Sequence, residues 1–128
     1  FHEAKLKGSG PVELWGSGTP MREFLHVDDL AKAVVFAVEN IFPEHLYNVG
    51  TGIDVTIKQL AEIIQKVVGH TGKINWDCSK PDGTPRKLMD VSKMNALGWK
   101  AEIKLKKGIE NTYWWFCENQ KICKRGKD

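Results

Sequence analysis

The stretch "WGSGTPMREFLHVDDLAKAVVFAVE", Trp15 to Glu39, changes its periodicity partway along, and that change sets the fold class. Upstream of it, "VELW" at 12–15 alternates apolar and polar residues and is closed by Gly16 and Gly18, the pattern of a short strand ending in a tight turn. "REFLHV" at 22–27 alternates in the same way and is expected to be extended. From Asp28 the period becomes helical. Leu30, Ala33, Val34, Ala37 and Val38 recur at intervals of three and four, which predicts a helix over about 28–39 with that stripe as its apolar face. Asp28 and Asp29 are placed to cap the first turn and favour its dipole.

The same alternation continues on either side. "LYNVG" at 46–50 reads as a short strand ending in Gly-Thr-Gly. "TIKQ" at 56–59 has the form of a capping box, with Thr56 as N-cap and Gln59 three residues on. Ile57, Leu60, Ala61, Ile64 and Val67 then line one face of a helix running to Gly69. "KINWDC" at 73–78 predicts a strand, and "SKPDGTPRK" at 79–87 a loop dense in turn residues. "DVSKMNALGW" predicts a short helix with Asp90 as N-cap and Gly98 as its left-handed terminator. A last helix is expected over about 105–120, with Leu105, Ile109, Thr112, Trp115 and Phe116 on one side. "HEAKLK", before the break at Gly8–Pro11, has the character of a helix that began upstream, so the chain is expected to be part of something longer. Short strands alternating with about four helices imply an α/β fold with at least partly parallel pairing. The strands are too few and short for a complete doubly wound sheet.

Composition places the chain among ordinary globular domains. It has 128 residues, 41% hydrophobic and 27% charged, enough for one core. The net charge of +3 owes much to the terminal "KICKRGKD", which reads as a solvated run; no basic face carries a nucleic-acid motif. Cys78, Cys117 and Cys123 form an odd set without a C-x-x-C pair, against a disulfide framework or a zinc site and in keeping with a reducing compartment. No apolar run reaches the ~18 residues of a membrane span and no leader is recognisable, so a cytoplasmic location is expected.

Catalytic motifs are scarce. "VGTGID" at 49–54 and "WGSGTPM" each stop after two glycines, short of a dinucleotide fingerprint, and no nucleophile–base spacing or metal-ligand cluster is present. Residues suited to binding are better represented. Arg22 follows a Gly-Ser-Gly-Thr-Pro turn, where a guanidinium fork could hold phosphate oxygens; a surface ion pair with Glu23 or Asp28 explains it equally well. Trp15 could stack on a base or sugar, although its spacing alone favours a core role. Asp82, Arg86 and Lys87 offer an acceptor and two cations on one solvated loop, set against the commoner case of a charged turn without ligand. His26 reads as a satisfied junction histidine and Cys78 as a small buried filler.

"VELWGSGTPMREFLHVDDLAKAV", "YNVGTG", "SKPDGTPRKLMDVSKMNALGW" and "TYWWFCENQ" together resemble the C-terminal part of the GDP-L-fucose synthase family, extended short-chain dehydrogenases/reductases of the NAD-dependent epimerase/dehydratase group. "R-x-F-x-H-V-x-D-L-A" followed by "N-x-G" marks the broad superfamily; "WGSGTPMREF" joined to "SKPDGTPRK" is the narrower signal. The resemblance implies a Rossmann-type NAD(P)-binding superfamily and a chain, 1–128, that is a single substrate-binding domain without the Rossmann core. It implies NADPH, bound by an N-terminal domain, and conversion of GDP-4-keto-6-deoxy-D-mannose to GDP-L-fucose by 3,5-epimerisation and 4-reduction. The catalytic and cofactor-binding residues are then expected upstream, and this piece is expected to be inactive alone. Dimer contacts are expected mainly in the missing half, and an apolar face that would pack on it is expected here. Trp15 matches a substrate-contacting tryptophan, Arg22 the diphosphate-holding arginine and Lys87 a basic residue near the substrate; Arg86 is its neighbour and Asp82 occupies a similar loop position. Two other readings stand beside this one: an enzyme of the same superfamily acting on another nucleotide sugar, and a stand-alone non-catalytic binding module.

Overall fold

The computed structural model describes residues 1–119, so Gln120, Cys123 and the basic "KICKRGKD" tail lie outside the described residues. The order of elements is α1 (His2–Leu6), β1 (Val12–Trp15), β2 (Met21–Glu23), α2 (Val27–Glu39), β3 (Asp54–Thr56), α3 (Ile57–Val68), β4 (Ile74–Asp77), β5 (Arg86–Lys87), α4 (Ser92–Ala96) and α5 (Leu105–Glu118). The α/β expectation is met, with five helices among the described residues, two of them only five residues long. β1 and β4 form a parallel pair in which Trp15 stands opposite Asp77. In the second sheet β2 is central, antiparallel to β3 and parallel to β5.

Helix α3 follows its local code closely. Gln59 N donates to Thr56 Oγ1 at 3.0 Å and Thr56 N to Gln59 Oε1 at 2.8 Å, completing the capping box. Gly69 ends the helix at φ +71°, a conformation that a residue with a Cβ adopts only under strain. At α4 the N-cap is Val91 and not the expected Asp90, which lies one residue earlier and takes Ser92 N on its carboxylate at 2.9 Å; Gly98 follows at φ +100°.

Helix α2 departs from expectation at both its cap and its inward face. The N-cap is His26, whose Nδ1 accepts from Asp28 N at 3.2 Å, while its ring rests against Gly108 of α5. This matches the satisfied junction histidine. Asp29 lies in the first turn but does not cap it: it is 1% exposed, and its Oδ2 accepts from Glu102 N at 3.0 Å and Ile103 N at 2.8 Å, fastening α2 to the lead into α5. Asp29, Ala33 and Phe36 point inward, toward a core of Ala33, Met94 and Trp99 that Leu25, Phe42, Tyr47, Val49 and Ala101 surround. Complete burial of a side chain the size of Met94 stabilises by about 1.5–3 kcal/mol. The stripe of Leu30, Val34 and Val38 faces outward instead, with Val38 82% exposed. α2 is apolar almost all round, so its periodicity could not choose which side meets Trp99.

One strand expectation changes, and one run expected to be extended is paired over only part of its length. Residues 46–50 keep the alternation, with Tyr47 and Val49 turned inward, yet no strand lies beside them among the described residues and no ladder forms. "REFLHV" is a strand only as far as Glu23, and the antiparallel partner of β2 is Asp54–Thr56, which carried no alternation to reveal it.

Candidate functional site

The turn between β1 and β2 is built from glycines that cannot be replaced without displacing neighbours. Gly16 has φ +80°, and a Cβ there would collide with the Asp82 carboxylate. Gly18 has φ +75°, with the Trp76 indole packed where its Cβ would stand, 2.6 Å away. The turn is tied to α3, because Lys58 N donates to Gly18 O at 2.9 Å and Ile57 N to Pro20 O at 3.0 Å. These bonds, with the Thr56 cap, occupy the N–H groups at the start of α3 that could otherwise hold an anion.

Asp82 closes the loop of residues 78–85 onto this turn. Its Oδ1 accepts from Ser17 N at 2.9 Å and its Oδ2 from Ser17 Oγ at 2.6 Å. The Ser17 hydroxyl first, and its backbone N–H second, hold the Asp82 carboxyl below its ordinary value. Farther along the loop, Gly83 lies against Arg22, whose Nη2 would be 3.2 Å from a Cβ at that position.

Sheet parity divides the basic residues. Arg22 is the register partner of Lys87, so both side chains share one face of the sheet, with Val55. Arg86 has the opposite parity and shares its face with Glu23 and Asp54. It forms a two-point ion pair with Asp54, from Nε at 2.6 Å and Nη2 at 3.2 Å, which lowers the Asp54 carboxyl and raises the guanidinium. Glu23 is committed as well. Its Oε1 takes Thr51 N at 2.5 Å and Gly52 N at 2.6 Å, and its Oε2 takes Met89 N at 3.2 Å.

Trp15 sits at the rim of the same loop, 75% exposed, which corrects the core role its spacing favoured. Along β1 Leu14 turns inward, so parity sends Trp15 outward beside Glu13. Lys80 from the loop stands over its ring, 5.7 Å from the centroid. Cys78 is exposed rather than buried, with its thiol 3.8 Å from Gly16 O. Arg22 gives Nη1 to Met21 O at 2.6 Å. Among the described residues no carboxylate pairs with Arg22, Lys80 or Lys87, whereas Lys32, Arg86 and Lys93 are paired to Glu102, Asp54 and Glu44. The fold therefore brings Trp15, Arg22 and Lys87 around one loop, turns Arg86 to the other face, and sets Asp82 as the fastener.

Neither glycine turn suits a dinucleotide. The Gly-Thr-Gly turn at 50–52 is filled by the Glu23 carboxylate, 2.5 Å from where a Gly50 Cβ would be, and an anion there would meet a like charge. No group of three or more potential metal ligands occurs among the described residues. Nor is any described helix long and apolar enough to cross a membrane.

The sequence model of the NAD dependent epimerase/dehydratase family matches residues 1–50 of the chain. Among the relatives it resembles are GDP-L-fucose synthases. The chain is 52% identical over 125 residues to GDP-L-fucose synthase 1 of Arabidopsis thaliana, covering 98% of this chain and 38% of that protein. It is 53% identical over 130 residues to GDP-L-fucose synthase of Escherichia coli (strain K12), covering 94% of this chain and 40% of that protein. The crystal structure of a GDP-L-fucose synthetase from Naegleria fowleri bound to NADP superposes with a TM-score of 0.86 at 27% identity, over 94% of this chain and 38% of that one. The chain thus spans about two fifths of the length of these relatives.

Proposed function

We propose that this chain is the GDP-sugar-binding part of a GDP-L-fucose synthase, an NADPH-dependent enzyme that converts GDP-4-keto-6-deoxy-D-mannose to GDP-L-fucose by 3,5-epimerisation and 4-reduction. One observation carries the reading. Arg22 and Lys87 lie in register on adjacent strands, without carboxylate partners among the described residues, beneath a loop rimmed by an exposed tryptophan. Two fixed cations suit a diphosphate, and the open face of Trp15 suits the flat or apolar face of a base or sugar. Asp82 serves by holding the loop, and Arg86 by neutralising Asp54 so that β5 stays on β2.

NADPH and the reacting groups belong, in this proposal, to an N-terminal Rossmann domain of the longer protein, which accounts for the remaining length of the relatives. The outward apolar stripe of α2 supports that arrangement as the side that faces such a domain. The step assigned to these residues is binding and orientation. They clamp the diphosphate so that the sugar projects away from the loop, and the chemistry is done elsewhere. Its substrates are soluble nucleotide sugars, and the proposed compartment is the cytoplasm.

Titration of GDP, UDP and dTDP, followed by tryptophan fluorescence, tests the reading. GDP is expected to bind best, and Arg22→Ala to weaken it on the order of tenfold to a hundredfold, as loss of charged hydrogen bonds would. Preference for UDP, or indifference to Arg22→Ala, would refute it.

A further inference from the structure

Nothing in the sequence separates Lys80 from the rest of its loop, and the geometry does. Asp77, the last residue of β4, is the register partner of Trp15. Its carbonyl accepts from Lys80 N at 3.2 Å, closing a four-residue turn. Its carboxylate braces that turn by accepting from Ser79 N at 3.0 Å and Ser79 Oγ at 2.5 Å. The turn sends the chain back over the end of β1, where Lys80 Nζ meets the Trp15 ring at 5.7 Å. A ring quadrupole attracts an ammonium group without neutralising it. The cation therefore stands beside an exposed aromatic face without a carboxylate partner among the described residues, three residues from the glycine that packs on Arg22.

We infer that Lys80 is a third ligand-binding cation of this site, held over one face of Trp15 by the Asp77–Lys80 turn and serving the diphosphate of a nucleoside diphosphate sugar. The inference rests on the GDP-sugar reading above and adds a residue to it. A cation and an aromatic ring that occupy one position match a ligand whose anionic group adjoins a flat or apolar surface. Free phosphate or an isolated sugar would use only half of the pair. Asp77 and Asp82 are the acidic groups nearest in the loop, and Ser79 and Ser17 occupy them, so each acts on the backbone rather than on the ammonium.

The test is calorimetric titration of GDP and of inorganic pyrophosphate into the chain and into Lys80→Met, Lys80→Arg, Arg22→Ala and Lys106→Met variants. Lys80→Met keeps the length of the stem and removes the charge. Lys106, on the exposed side of α5 and 3.8 Å from Glu110, controls for the change in net charge. Lys80→Met is expected to weaken both ligands about fivefold, Lys80→Arg to bind within about twofold of the unchanged chain, and Lys106→Met to have no effect. The deficit of Lys80→Met should shrink as salt is raised. Unchanged affinity in Lys80→Met, or an equal loss in Lys106→Met, overturns the role of Lys80. If Arg22→Ala weakens GDP while Lys80→Met does not, the GDP site stands and the inference alone falls. If the unchanged chain binds neither ligand, both fall together. Far-ultraviolet circular dichroism of Lys80→Arg and Lys80→Met separates loss of binding from loss of fold.

Discussion

Around Trp15 the exposed surface is polar and its carboxylates are already engaged, whereas along α2 the exposed surface is a row of valines and a leucine. In the first region Asp82 is held by Ser17, Asp77 by Ser79 and Arg86 by Asp54, so the groups left over are cations and one indole. In the second, Val27, Leu30, Val34 and Val38 are 68%, 46%, 58% and 82% exposed, at the three- and four-residue spacing of a single helix face. The contrast separates two ways of being exposed. A polar face whose internal bonds are complete can receive a small charged ligand with little rearrangement. An apolar face gains free energy only when water leaves it.

That distinction can be broken most forcefully at the residue that joins the two faces of α2. Asp29→Ala would leave the buried N–H groups of Glu102 and Ile103 without an acceptor, and an expected loss of about 2–3 kcal/mol should appear as a lower urea midpoint. A loss of only a few tenths would return Asp29 to the role of a dipole cap.

A smaller effect is expected at the loop. The Asp82 carboxyl has its folded value below the ordinary 3.8, so its bonds to Ser17 are fully present above that value and are lost as pH falls through the lowered one. Tryptophan fluorescence should therefore be flat from neutral pH to about 4 and change only on further acidification. In Asp82→Asn that acid step should be missing. A step near pH 6 would show that another group fastens the loop.

The smallest effect on folding is expected where the apolar surface is greatest. Replacing Val34 and Val38 together with Lys should change stability by no more than about 0.5 kcal/mol, while binding of a hydrophobic dye falls. A loss above about 2 kcal/mol would mean that these side chains are packed, and the two regions would no longer differ as described.

What could be read beforehand follows from how far each signal reaches along the chain. The Thr56 capping box, Gly69 and the alternation of β1 and β4 are local, and each formed as expected. Trp15 could have been read correctly, because an inward Leu14 already fixes an outward neighbour. Residues 46–50 carry a strand's alternation without its ladder, since pairing needs a second strand that the alternation cannot supply. Lys80 carried no signal of its own beyond a place in "SKPDG", and its position depends on a turn braced by Asp77.

By itself the sequence determined the helices, the glycine turns, the α/β class and the family resemblance, because caps, turns and motifs act over a few residues. Only the tertiary structure decided which cations share a face, because Arg22 and Lys87 are 65 residues apart and meet only through the register of β2 with β5. The same register turned Arg86, the neighbour of Lys87 in sequence, to the other side of the sheet and toward Asp54. Contact with Met94 and Trp99, equally remote along the chain, chose which side of an all-round apolar α2 is buried.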